Sequence, residues 1–272
     1  MTAVVLLYPA LALYLAATFC FESLLIRQQR RMAAAGFIFL GAAFAVHLTA
    51  LLLRYFVAGY TPITSLHESL SFFALCTAGF FLFLRSVYKI DALGAIFTPA
   101  VAVLLIAALA ISGDVKPLPP VLRSYWLPVH TVFAFIGNAI FLAGFLVSCV
   151  YLITERSIKK KTLRGLTHRF PSLETLDRVN YKCMSYGFPF LTIAIITGSL
   201  WAQLAWGSYW NWDQKEVWSL ITWIVYAILI HNRLAIGWRG RRTAYMMIAG
   251  FVSVIFTFVG VNLFLGGLHS YF

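Results

Sequence analysis

Eight apolar runs divide the sequence, at approximately Val4–Phe21, Ala33–Leu53, Leu70–Leu84, Leu93–Ile111, Thr131–Ile153, Phe188–Leu204, Val217–His231 and Ala244–Leu265. A helix needs about 20 mainly apolar residues to cross the hydrocarbon core of a bilayer. Each run therefore predicts one span, with the short third and seventh extending into their flanks. The expected fold class is an all-α integral membrane protein, a polytopic bundle of about eight transmembrane helices. No internal repeat or low-complexity tract interrupts it, so a single membrane domain over residues 1–272 is expected. An even number of spans puts both termini on the same side.

Polar positions between the runs choose that side. If alternate loops face inward, the inner segments collect Arg27, Arg30 and Arg31, then Arg85 and Lys89, the stretch from Arg156 to Lys182, and Arg233, Arg239, Arg241 and Arg242. Of the 21 Lys and Arg, only Arg54, Lys116, Arg123 and Lys215 stay outside. Cytoplasmic loops carry the excess of Lys and Arg, so both termini are expected on the outer side. A net charge of +12 in a chain 61% hydrophobic and only 11% charged reads as this asymmetry and not as a nucleic-acid surface. The first apolar run resembles a signal peptide in length. Its first basic residue, Arg27, follows the run instead of preceding it, which favours a retained span.

The loops have their own expectations. Residues 155–187 form the longest inner loop, basic and cytoplasmic, in which Lys159, Lys160 and Lys161 read as a solvated run facing lipid headgroups. Pro171-Ser-Leu-Glu174 resembles a helix start capped by Ser172, predicting a short interfacial helix through Lys182. Ser112–Pro128 holds Pro117, Pro119 and Pro120 and is expected to be extended and stiff. None of Cys20, Cys76, Cys149 and Cys183 forms a C-x-x-C pair, so neither a disulfide framework nor a zinc site is suggested.

One polar stretch stands apart. Trp206-Gly-Ser-Tyr-Trp-Asn-Trp-Asp-Gln-Lys-Glu-Val-Trp218 holds four of the eight Trp. It also holds Asp213 and Glu216, two of the nine acidic residues. It falls between spans six and seven, on the expected outer surface, and a short interfacial helix is predicted there. Trp206, Trp210, Asp213 and Val217 would line one face of such a helix, a pattern that an amphipathic anchor shares. The alternative is a platform for a flat, aromatic, partly charged ligand.

The histidines sharpen that alternative. His130 stands at the outer mouth of span five and His269 just past the outer end of span eight, at the level of the Trp-rich stretch. Imidazole is a common axial ligand of haem iron, and two of them facing each other would make a bis-histidine site. The Trp rings would pack on the porphyrin, Lys215 or Arg123 would pair with a propionate, and Asp213 would orient a ligand or cap a helix. His231 lies about 14 residues beyond Val217, roughly 20 Å along a helix, near the inner end of span seven. An ionisable group there is a functional candidate. No other histidine shares its depth inside a helix, so its partner ligand would come from water or a second polypeptide. His47 is expected to pack or hydrogen-bond mid-helix, His67 with Glu68 to lend support from behind the site, and His168 to be solvated.

Trp206-Gly-Ser-Tyr-Trp-Asn-Trp-Asp213 resembles the WWD signature of haem-handling proteins. The continuation through Val217-Trp-Ser-Leu-Ile-Thr-Trp-Ile-Val-Tyr226, His231-Asn-Arg233, Gly237-Trp-Arg-Gly-Arg-Arg242, Phe256-Thr-Phe-Val-Gly-Val-Asn262 and Leu268-His-Ser-Tyr271 resembles the CcsA/ResC branch of cytochrome c assembly proteins. The likeness is dense from about Ser172 onward and looser before it, where Gly187-Phe-Pro-Phe-Leu, Glu68-Ser-Leu and Val129-His130 fit. The resemblance implies a haem-handling subunit of a holocytochrome c synthase in the bacterial cytoplasmic or thylakoid membrane. Haem b, held non-covalently, would be conveyed from the inner to the outer side and presented to the C-x-x-C-H cysteines of apocytochrome c. By the same resemblance His130 and His269 match the outer haem ligands and His231 the inner one. Trp206, Gly207, Tyr209, Trp210, Trp212, Asp213, Lys215 and Trp218 match the outer haem surface. The second inner ligand would come from a CcsB/ResB-type membrane subunit. Gln214 departs from the pattern, which has proline after the Asp, and His67 stands where tyrosine is more usual.

Three other readings remain open on sequence. One is a non-catalytic haem-binding regulator of the related eight-helix family, another a b-type cytochrome subunit, the third a plain transporter or scaffold with a Trp-rich anchor. Hydrolase and kinase chemistry find no Ser-His-Asp set, carboxylate pair or phosphate loop.

Overall fold

The computed structural model describes residues 2–88, 90–111, 113, 119, 122–161 and 169–265. The described chain is helical: α1 (Thr2–Val5), α2 (Leu7–Arg27), α3 (Arg30–Ala58), α4 (Leu66–Tyr88), α5 (Gly94–Leu109), α6 (Trp126–Lys159), α7 (Leu173–Trp206), α8 (Gln214–His231) and α9 (Arg241–Ile255). A wide π turn continues α9 over Phe256–Leu265. Among the described residues eight helical segments, counting the turns that adjoin α5, α8 and α9, are long and apolar enough to cross a membrane, and they match the eight apolar runs in order.

Two expectations are corrected. Ser172 does cap a helix, its hydroxyl accepting the Thr175 N–H. That helix, however, does not stop near Lys182 but runs unbroken for 34 residues to Trp206. No residue from Lys182 to Phe188 ends the helix, and α7 continues through Pro189, although an interior proline loses one backbone bond and crowds the carbonyl four residues back. The separate helix predicted in the Trp-rich stretch is absent. Residues 207–213 are irregular, and the flanking tryptophans belong to the ends of α7 and α8. The proline-rich stretch after α5 lies outside the described residues except for positions 113 and 119.

The chain divides into two compact units, Met1–Pro117 with Arg156–Pro171, and Leu118–Glu155 with Ser172–Phe272. In the first, α2 packs on α3 and α5, and α4 on α5. Lipid tails are as apolar as Leu, so close packing and polar bonds hold such helices together. Phe21 is fully buried and lies against Gly94, where an added Cβ would meet its ring at 2.5 Å. Phe81 stacks on Phe97 at 4.5 Å. The His47 Nε2 lies 2.9 Å from the Ser71 hydroxyl, and its Nδ1 lies 3.3 Å from the Tyr14 hydroxyl, the hydrogen-bonding role expected of it. His67 is buried with Nδ1 donating to the Ala108 carbonyl at 2.8 Å. Beside it Arg54 and Glu68 form a buried ion pair at 2.8 Å. The second Glu68 oxygen accepts the Thr64 N–H and hydroxyl, both at 3.0 Å.

The second unit is built from α6, α7, α8, α9 and the π turn. Its centre is Tyr226, stacked on Phe141 at 3.6 Å and nearly parallel at 9°. An added Cβ on Gly187 would meet Phe141 at 2.5 Å, and one on Gly250 would meet Tyr226 at 2.7 Å. These two glycines, on α7 and α9, let four helices close around a stacked aromatic pair contributed by α6 and α8. The Trp223 indole N–H donates to the Thr192 hydroxyl at 2.9 Å, tying α8 to α7.

Candidate functional site

His130 lies in the second turn of α6, and its Nδ1 sits 2.7 Å from the Ala194 carbonyl oxygen of α7. A carbonyl can only accept, so Nδ1 carries the proton and donates. Nε2 is then the lone-pair nitrogen, the form in which imidazole binds a metal. A backbone carbonyl behind a ligating histidine also fixes its ring orientation. The approach is this close because residue 198 is glycine: an added Cβ would stand 2.7 Å from the His130 Nδ1. One turn on, Trp201 lies nearly parallel to the imidazole at 6.4 Å and 12°. Trp201 is 2% exposed, packed with Leu122 and Leu127. Trp206 meets it edge-on at 4.8 Å. Ala194, Gly198, Trp201 and Ala205 thus make one face of α7 a seat for the histidine. Sequence reasoning missed this face. Its signal was the small-small-Trp-Ala spacing three and four residues apart, just before the Trp-rich stretch.

The loop that follows is held by its own polar side chains. Gly207 ends α7 in the left-handed region at φ +76°, its N–H returning to the Gln203 carbonyl. The Ser199 hydroxyl donates to the Tyr209 carbonyl at 2.8 Å, and the Ser208 hydroxyl to the Trp210 carbonyl at 2.9 Å. The Glu216 Oε2 accepts the N–H groups of Asn211 at 2.7 Å and Asp213 at 3.2 Å. The Asp213 Oδ1 accepts the Lys215 N–H at 3.0 Å. Asp213 and Glu216 therefore form a capping box that starts α8. Asp213 thus fills the capping role open to it on sequence. Gln214 takes the first helical position, where proline is favoured for its fixed φ. The capping box starts the helix without it.

The aromatic residues divide into three groups. Trp206 belongs with Trp201 and, through it, with His130. Trp210 and Trp212 meet at right angles at 5.9 Å. Trp212 is 75% exposed and sits at φ +55°, a conformation that costs a bulky residue about 1–3 kcal/mol. Tyr209 is exposed beside it in sequence. Trp218 is directed elsewhere, packed on Phe256 of the π turn at 4.1 Å. Lys215 is half-buried, with its ammonium in electrostatic range of the His130 imidazole.

His231 ends α8 and is exposed. Leu220, Ile224 and Ile228 are exposed at matching helical spacing, so His231 completes an outward-facing stripe. Its ring makes no hydrogen bond to another described residue. His269, the expected second outer ligand, and His168 lie outside the described residues.

With this geometry in place, the chain can be set beside known proteins. Residues 63–269 match the family described as Cytochrome C assembly protein. Cytochrome c biogenesis protein CcsA of Chlamydomonas reinhardtii is 36% identical over 242 residues, covering 86% of this chain and 67% of that protein. The CcsA of Mesostigma viride is 36% identical, covering 85% of each, and that of Microcystis aeruginosa 35%, covering 80% of this chain and 81% of that one. Among solved structures, the cytochrome c haem lyase CcmF shares the fold with a TM-score of 0.70 at 18% identity. The alignment covers 95% of this chain and 47% of that one, so the chain spans about half the length of that structure.

Proposed function

The chain belongs to the Cytochrome C assembly protein family, and from that membership we propose that it is the membrane haem-handling subunit of a cytochrome c synthase. It would bind haem b non-covalently, take it from the inner side of the membrane and present it outside to the C-x-x-C-H cysteines of apocytochrome c. The observation that carries this reading is the His130 tautomer, locked by the Ala194 carbonyl with Nε2 left as the lone-pair nitrogen. That is the donor chemistry an axial iron ligand requires. His130 and His269 are assigned to the outer iron. The exposed loop residues Tyr209 and Trp212, with half-buried Trp210, would form the apolar shelf, and Lys215 would face a propionate. Haem, when bound, supplies the vinyl groups across which the two substrate thiols add. The protein supplies position and ligation.

His231 is assigned to an inner site completed by a CcsB/ResB-type subunit. Its place on an outward-facing stripe of α8 supports a second ligand from another chain. A b-type cytochrome would need His47 as an intrahelical ligand. Both His47 ring nitrogens are already engaged, by Tyr14 and Ser71, which disfavours that reading.

The test is reconstitution with the partner and an apocytochrome, scored for covalent haem. His231→Ala is expected to lower the yield at least tenfold, with the outer-site absorption retained when haem is supplied from outside. An unchanged yield would remove His231 from the pathway. Gly198→Ala is a finer probe. Alanine normally favours a helix over glycine by about 0.5–1 kcal/mol, yet here its Cβ pushes the imidazole off Ala194. Outer-site haem affinity, read by absorption titration, is expected to fall about tenfold or more with no loss of thermal stability. Unaltered affinity would mean that the Ala194 bond does not set the ligand.

A further inference from the structure

The hairpin between α8 and α9 carries a feature that haem handling does not use. Ile236, Gly237, Trp238, Arg239, Arg241, Arg242 and Tyr245 line an open cavity of about 610 Å³. The loop beneath it is tied down by a mostly buried ion pair and its hydrogen bonds. Asp177 accepts both Arg233 terminal nitrogens, at 3.0 and 2.7 Å, and the Gly240 N–H at 2.6 Å. Arg233 also donates to the Trp238 carbonyl at 3.0 Å. Gly240 adopts φ +62°, and an added Cβ would meet the Tyr151 hydroxyl at 2.5 Å. The Asp177 charge is thus consumed by Arg233, inside the scaffold.

The three cavity arginines keep a surplus of positive charge. Arg241 has Glu155 at 4.0 Å and the Tyr245 hydroxyl at 3.0 Å. Arg242 lies over the Trp238 ring at 5.7 Å, and neither it nor Arg239 pairs with a carboxylate among the described residues. Arg241 and Arg242 open α9, at the positive end of its dipole, where cations are unfavourable. This placement repels itself unless an anion sits among the three. Next to the arginines the surface turns apolar: Leu234 is 66%, Ile236 62% and Tyr245 51% exposed. The hairpin joins two membrane-spanning helices, which puts it at headgroup depth.

We propose that this cavity is a binding site for the phosphate headgroup of an anionic phospholipid, with Arg239, Arg241 and Arg242 on the phosphate and acyl chains along Leu234 and Ile236. A free phosphate would use the arginines but leave the apolar rim bare. Guanidinium forks match phosphate oxygens, and basic pockets between spanning helices take such headgroups. None of the residues lining it is among those assigned to haem.

The test uses the full chain in a neutral detergent and native mass spectrometry. Phosphatidylglycerol, phosphatidylcholine and glycerol 3-phosphate are titrated separately. Phosphatidylglycerol is expected to bind at least tenfold more tightly than either alternative. Arg239→Gln with Arg242→Gln should weaken it about thirtyfold, about fivefold for each cation removed. Lys160→Gln with Lys161→Gln, in the other basic loop, should leave it within twofold. If the double variant unfolds early, Arg239→Gln alone is read against the same fivefold expectation. Equal binding of the two lipids, glycerol 3-phosphate as tight as phosphatidylglycerol, or an equal loss in the lysine variant would each overturn the proposal. No haem is present, so its failure leaves the haem assignment standing.

Discussion

Covalent haem attachment is expected to fall at least about a hundredfold when His130 is replaced by alanine, in reconstitution with partner and apocytochrome. The reason is local. His130 is the described histidine whose tautomer is fixed by a backbone carbonyl beside the Trp-rich stretch. Removing an axial ligand costs more than disturbing the group behind it, which is already worth about 10- to 100-fold. The Trp201, Leu122 and Leu127 cluster does not depend on the imidazole, so the variant should fold and insert normally. Gly198→Ala should then fall between native protein and His130→Ala. A His130→Ala variant that still matures cytochrome c at the native rate would take the outer ligand away from α6.

The second large effect concerns stability. Glu68→Ala is expected to destabilise the protein by about 3–5 kcal/mol, because it breaks a buried ion pair by removing one partner. Arg54 also donates to the Gly113 carbonyl at 2.6 Å, so its charge stays anchored inside when the carboxylate is gone. Replacing both, as Arg54→Met with Glu68→Met, removes both members of the pair and should recover most of the loss. Reversible unfolding in mixed detergent, followed by far-ultraviolet circular dichroism, reads the difference. A single variant as stable as native protein would show that water reaches the pair.

Much of this was legible in the sequence because a bilayer imposes simple rules. Backbone polar groups must be paired within each helix there, so every apolar run had one solution, and all eight became helices. Ser172 was readable as a cap because its hydroxyl serves the chain three residues on. What escaped notice depends on contacts between distant segments or on competition between local signals. The Trp-rich stretch has helical spacing, yet Gly207 and the Asp213–Glu216 box break it into an end, a loop and a start. The α7 helix outran its predicted boundary because lysine and tyrosine do not stop a helix, and it continues through Pro189 as well. The site divided the same way. His130 stood out as an imidazole at a helix mouth. Ala194 and Gly198, which decide its tautomer and position, carry no chemistry of their own and become visible only when α6 and α7 are set side by side. The Asp177–Arg233 pair was hidden for the same reason, its partners lying 56 residues apart.

The most direct measurement is electron paramagnetic resonance of the purified, haem-loaded protein in its ferric state. A low-spin signal of two imidazole ligands is predicted for native protein, converting to high spin in His130→Ala and equally in His269→Ala. A native signal without two imidazoles, or one that survives either substitution unchanged, would contradict the assignment of these two histidines to one iron.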